Sequence, residues 1–144
     1  MLALCGGALR LPGPRPSSRV IGSREGTIID LLGEALWPEG NAIGVPWVGA
    51  DAVDSVLADI LLPASVIPFR YSLFGLDYAA RVSGSSLAAM DEAERIDLLR
   101  QWSEGTLPQR LSHDGVKAVL GLAYFNHPDV LEAVGFNLRC AWAE

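Results

Sequence analysis

The chain alternates between stretches with apolar residues at three- and four-residue spacing and short stretches rich in Gly, Pro and Ser, a pattern that predicts helices joined by turns. The sharpest helix is residues 91–102, DEAERIDLLRQW. Asp91 can accept from the amide three residues on while Glu94 reaches back to the Asp91 amide, a capping box that sets the start. Ala93, Ile96 and Leu99 form an apolar stripe with Leu98 and Trp102 along its edge, and Glu94, Asp97 and Gln101 make the opposite, wet face. Gly105 stands where a left-handed C-terminal cap is expected, and Pro108 forbids simple continuation.

The same pattern places further helices at residues 24–36, with Ile28, Ile29, Leu31, Leu32, Ala35 and Leu36 inside, and at 51–62, with Val53, Val56, Leu57, Ile60 and Leu61 inside and Asp51 and Asp54 at the start. A third helix is expected from Pro68 in its first turn to Val82, with Phe69, Leu73, Leu76 and Ala80 on one stripe and Phe74 and Tyr78 beside it. Residues 108–125 carry Leu111, Val116, Val119, Leu120 and Ala123, weakened by Gly115 and Gly121, where a small residue can admit a close helix contact. Asp129 can cap a short helix through Val134 that Gly135 ends. No segment alternates like a strand and none repeats, so the expected fold is all-α, a bundle of five or six helices. Residues 1–22, including PGPRPSS, read as a flexible Pro/Gly-rich arm, and 23–144 as the helical domain.

Composition adds a need for cover. Hydrophobic residues make up 50% of the 144 and charged residues only 19%, against roughly 25% charged in an average soluble domain. Such a chain either exposes apolar patches or hides them against a partner, and the apolar loop at residues 39–50, with Ile43, Val45, Trp47 and Val48, is the first place to look. A net charge of −6 and a single lysine, Lys117, argue against a nucleic-acid surface. No apolar run is long enough for a transmembrane segment, and the N-terminal residues lack the features of an export signal, so a cytoplasmic location is expected unless an exported partner carries the chain to the periplasm. Cys5 and Cys140 are too far apart in sequence for a metal or redox motif.

Motifs for dinucleotides, phosphates and the common hydrolase nucleophile are missing from the sequence. Ser112-His113-Asp114 reads as a polar surface turn, because neighbours on a helix diverge by about 100 degrees. His127 is one ligand without companions, and the carboxylates at Asp91, Glu92, Glu94 and Asp97 are accounted for by capping and solvation. Trp37, Trp47, Trp102 and Trp142 are read as core or interface indoles. No catalytic, cofactor-binding or metal-ligating residue is therefore assigned.

Three segments taken in order resemble the small-subunit family typified by gluconate 2-dehydrogenase subunit 3. They are residues 28–38, IIDLLGEALWP; residues 87–102, LAAMDEAERIDLLRQW; and residues 123–136, AYFNHPDVLEAVGF. The resemblance implies a non-catalytic subunit that binds and stabilises a large FAD-dependent dehydrogenase of the glucose-methanol-choline class. On that reading FAD resides in the partner, no cofactor resides in this chain, and a further electron-transfer subunit can join the hetero-oligomer. Pro46, Trp47, Tyr124, Phe125 and Trp142 are the expected contact residues. Truncation of Trp47 is then expected to cost about 2 kcal/mol of association. The alternative is a self-associating helical scaffold with no flavoprotein partner.

Overall fold

A computed structural model describes residues 20–61 and 63–136, and the chain folds as an all-α bundle. The elements in order are α1 (Ser23–Leu36), α2 (Ala50–Asp59), α3 (Pro63–Val82), α4 (Glu92–Glu104), α5 (Leu107–Phe125) and α6 (Pro128–Ala133). The long α5 packs on α2, α3 and α4, and α1 also lies against α2, α3 and α4. Leu32, Leu73, Leu76, Val53, Leu120 and Leu87 are fully enclosed where these helices meet. Among the described residues, no helix is long and apolar enough to cross a membrane. The expectations for most of the N-terminal arm, Cys5, Cys140 and Trp142 lie outside the described residues.

The capping box of α4 forms as the residues dictate: Asp91 Oδ1 accepts from the Glu94 amide and Glu94 Oε2 from the Asp91 amide, each at 2.9 Å. Its buried face differs from the expected stripe. Leu98 and Leu99 are buried and Trp102 half-buried, whereas Ala93 and Ile96 face outward. The side chain that completes the inner face is Arg95, which donates to the carbonyls of Leu87 (3.1 Å) and Met90 (2.8 Å) and so satisfies the turn leading into the helix. Gly105 also departs from expectation, with φ −77° rather than left-handed. The chain passes straight from Gly105 into Thr106, the N-cap of α5, leaving no room for a left-handed turn, and a Cβ on Gly105 would stand 2.5 Å from Gln109 Oε1, itself bonded to the Thr106 amide at 2.8 Å.

Helix α2 stops at Asp59, earlier than the apolar pattern suggested, and Ile60 is exposed. Helix α3 starts at Pro63 rather than near Pro68, so Pro68 sits inside it at the cost of one intrahelical amide bond. Phe69, Leu73, Leu76 and Ala80 are buried as expected. On α5 the inner face is His113, Val116, Leu120, Ala123 and Tyr124, and Leu111 turns outward. Ser112-His113-Asp114 is thus helix rather than surface turn, because the three- and four-residue spacing from Val116 and Leu120 carries His113 inside. In α6 the N-cap is His127, with Asp129 in the first turn instead of at the cap. Gly135 adopts φ 75° and ends α6 as expected, with the Phe136 amide donating back to the Leu131 carbonyl at 2.8 Å.

Candidate partner-binding surface

The apolar loop that follows α1 is folded onto the bundle by its own hydrogen bonds. Asn41 Nδ2 donates to the carbonyls of Pro38 (2.9 Å) and Val45 (2.6 Å), and Asn41 Oδ1 accepts from the amides of Ile43 (2.9 Å) and Gly44 (3.1 Å). One amide side chain therefore closes the whole turn. The Trp47 amide donates to the Trp37 carbonyl at 3.0 Å, and the indole Nε1 to Asp30 Oδ1 on α1 at 2.9 Å. That geometry lays the Trp47 ring across α1 at Gly33.

Trp37 is the centre of the aromatic cluster that results. It stacks on Trp47 (centroids 5.7 Å apart, planes at 18°) and more closely on Tyr124 (4.6 Å, 18°). Phe125 meets Trp37 and Tyr124 edge to face at 6.4 and 5.2 Å. The Tyr124 hydroxyl donates to the Val45 carbonyl at 2.5 Å, so α5 clamps the far side of the loop. The expected contact residues Trp47, Tyr124 and Phe125 are thus brought together, in one aromatic stack. Their roles divide: Tyr124 has no exposed surface and supports the loop from inside, Trp47 is half-buried, and Pro46 and Phe125 are exposed. A side chain with no accessible area cannot touch a partner, so Tyr124 drops out of the contact set. Trp37, Asn41 and Asp30 hold the site and were not assigned to it from the sequence; the N-x-x-G spacing of Asn41 and Gly44 was the signal for the turn.

A second surface stands on α3. Ile67, Tyr71, Phe74, Tyr78 and Val82 share the outward face, with Tyr71 74% and Tyr78 69% exposed. Their spacing of four, three, four and four residues is that of a seam that packs on another helix. Along the edge where α3 meets α1 run Arg70 and Arg81 of α3 and Arg24 of α1. Arg24 and Arg81 both reach Asp77 Oδ2, at 2.8 and 3.2 Å, and Arg70 pairs with both oxygens of Glu25. Burial pushes the Glu25 carboxyl up, but hydrogen bonds from Arg70 and the Gly22 amide, with the Arg70 charge, outweigh it and hold the group below the usual carboxylate range. The Arg70 guanidinium is in turn raised by its hydrogen bond to Glu25.

Each histidine has a carboxylate within two residues of it. His113 Nδ1 lies 2.9 Å from Asp114 Oδ1, and His127 Nδ1 lies 3.7 Å from Asp129 Oδ2, beyond hydrogen-bond reach. Among the described residues no group of three or more His, Cys, Asp or Glu side chains is placed to hold a metal ion. Comparison with protein-family models, with curated proteins and with solved structures finds no match for the chain.

Proposed function

We propose that this chain is a non-catalytic accessory subunit that binds and stabilises a large FAD-dependent alcohol or sugar dehydrogenase of the glucose-methanol-choline class. The observation that carries the reading is the amount of large apolar surface left uncovered: Ile67, Tyr71, Tyr78, Leu107, Leu111 and Phe136 are each at least 60% exposed. A chain this apolar gains by hiding those side chains on another protein, at roughly 25 cal/mol per Å² of apolar area removed from water. The family resemblance supports the identity of that protein. Its three segments fall on α1, on α4 and its lead-in, and on the end of α5 with α6, and these meet in one structure, α1 and α5 both packing on α4 and Trp37 stacking on Tyr124. The flavin and its chemistry belong to the partner on this reading, and the small chain supplies cover and rigidity.

The test is expression of a tagged chain in its native host, gentle affinity purification, and an absorbance spectrum of what co-purifies. A stoichiometric large protein with flavin bands near about 370 and 450 nm is the expected outcome. Recovery of the chain alone, colourless and folded as a homo-oligomer, instead supports a self-associating scaffold.

A further inference from the structure

Resting on the accessory-subunit reading, we propose that the outward face of α3 is the docking surface, and that its occupant is an amphipathic helix of the partner with large apolar residues on its contact stripe and carboxylates along one flank. The stripe of Ile67, Tyr71, Phe74, Tyr78 and Val82 covers four turns of one helix, long enough to seat a helix and too regular to serve a loop. Its inner counterpart, Phe69, Leu73, Leu76 and Ala80, already anchors α3 to the bundle, so the outer rings are not needed for folding.

Charge selects the occupant. The Arg24, Arg70 and Arg81 side chains along the edge are 47 to 63% exposed, while the two carboxylates that meet them, Glu25 and Asp77, are only 5 and 8% exposed. Three guanidiniums against two sunken carboxylates leave a cationic rim on a chain whose net charge is −6. Arg24 lies 5.5 Å above the Phe74 ring, so the rim touches the stripe itself. Acidic residues flanking an apolar stripe complement this edge. A second copy docked antiparallel through the same face sets arginine rim against arginine rim, and residues 1–19 of the chain, with Arg10, Arg15 and Arg19 and no carboxylate side chain, bring the same sign.

The experiment uses the full chain and two fluorescently labelled synthetic helices of about 20 residues. They share one leucine stripe and differ in flanking charge, one carrying glutamates and the other lysines, and binding is read by anisotropy. The glutamate helix is expected to bind about tenfold or more tighter than the lysine helix, with the preference shrinking as salt rises from about 50 to about 500 mM. The variant Tyr71→Ser/Tyr78→Ser is expected to keep the wild-type circular dichroism and melting temperature, because both rings are exposed, and to lose about tenfold or more in affinity. Equal binding of the two helices, no binding of either, or undiminished binding by the double variant overturns the proposal. So does a dimer of the free chain in sedimentation that the double variant dissolves, which gives the face to a second copy. The peptides contain no flavin, so this result is separable from the flavoprotein test. A chain that binds the glutamate helix and co-purifies no flavoprotein keeps the surface and loses the dehydrogenase role, and a flavoprotein complex untouched by the double variant keeps the role and loses the surface.

Discussion

Gly33 lies directly beneath the Trp47 indole: a Cβ on Gly33 would stand 2.3 Å from the Cδ2 and Cε2 atoms of that ring. The glycine is inside the last turn of α1, where alanine would ordinarily favour the helix by up to about 1 kcal/mol, so its value is the space it leaves. The apolar loop closes on α1 at that point, with Asp30 holding the indole N–H one turn earlier.

Gly33→Ala is therefore expected to destabilise the chain by about 2 kcal/mol despite the helix preference. Thermal unfolding followed by circular dichroism measures it, and a melting temperature at or above wild type would mean the indole is not seated on α1.

Tyr124→Phe keeps the stack on Trp37 and removes only the hydroxyl that bonds the Val45 carbonyl. The expected loss is about 1 kcal/mol, one net hydrogen bond, because the Val45 carbonyl keeps its donor from Asn41 Nδ2. Hydrogen exchange should show the Ile43 and Gly44 amides opening faster than wild type, while α5 amides change little. Equal protection of the loop amides in the two proteins would sink the clamp.

The Glu25 carboxyl titrates below its ordinary value near 4.5, since Arg70 and the Gly22 amide stabilise the charged form in the fold. A group with a depressed folded pKa contributes stability that is fully present above its unfolded pKa and is lost as pH falls through the folded one. Urea unfolding from neutral pH down through the range below 4.5 should then show a steeper loss of stability in the wild type than in Glu25→Gln. Parallel pH profiles for the two proteins would show that the pair gives no such linkage.

Trp47→Ala removes a ring that stacks on Trp37, covers Gly33 and bonds Asp30. Its first effect falls on the chain itself, at about 3 kcal/mol of stability, ahead of any effect on a partner. Calorimetry of the isolated variant beside a titration with any flavoprotein that co-purifies with the chain tells the two apart. An unchanged melting temperature with weakened association would make Trp47 a contact residue and not a support for the loop.

Much of this architecture could be read from local pattern. The Asp91 and Glu94 capping box, the Phe69-Leu73-Leu76-Ala80 stripe and the stop at Gly135 rest on residues within a turn or two of each other. The misses share a different origin. Ile96 has the spacing of a core residue and is exposed, while Arg95 turns inward because the carbonyls of Leu87 and Met90 need donors that only the folded turn presents. His113 is carried inside by its spacing from Val116 and Leu120 along α5, whatever its polarity. The outward face of α3 was not read as a stripe, because with the helix begun at Pro68 only Phe74 and Tyr78 stood beside the inner one.

The sequence by itself determined that the chain is helical, where most of its helices begin and end, and that it carries more apolar surface than so few charges can balance, because periodicity and capping are properties of neighbouring residues. Only the tertiary structure decided that Tyr124 is a buried clamp, that Trp37 joins Trp47 to α5, and that the aromatic face of α3 is left outside with three arginines along its edge. Those relations join residues far apart in the chain, 79 positions in the pair of Val45 and Tyr124, and such a pair acquires its distance and burial only once the helices between have packed.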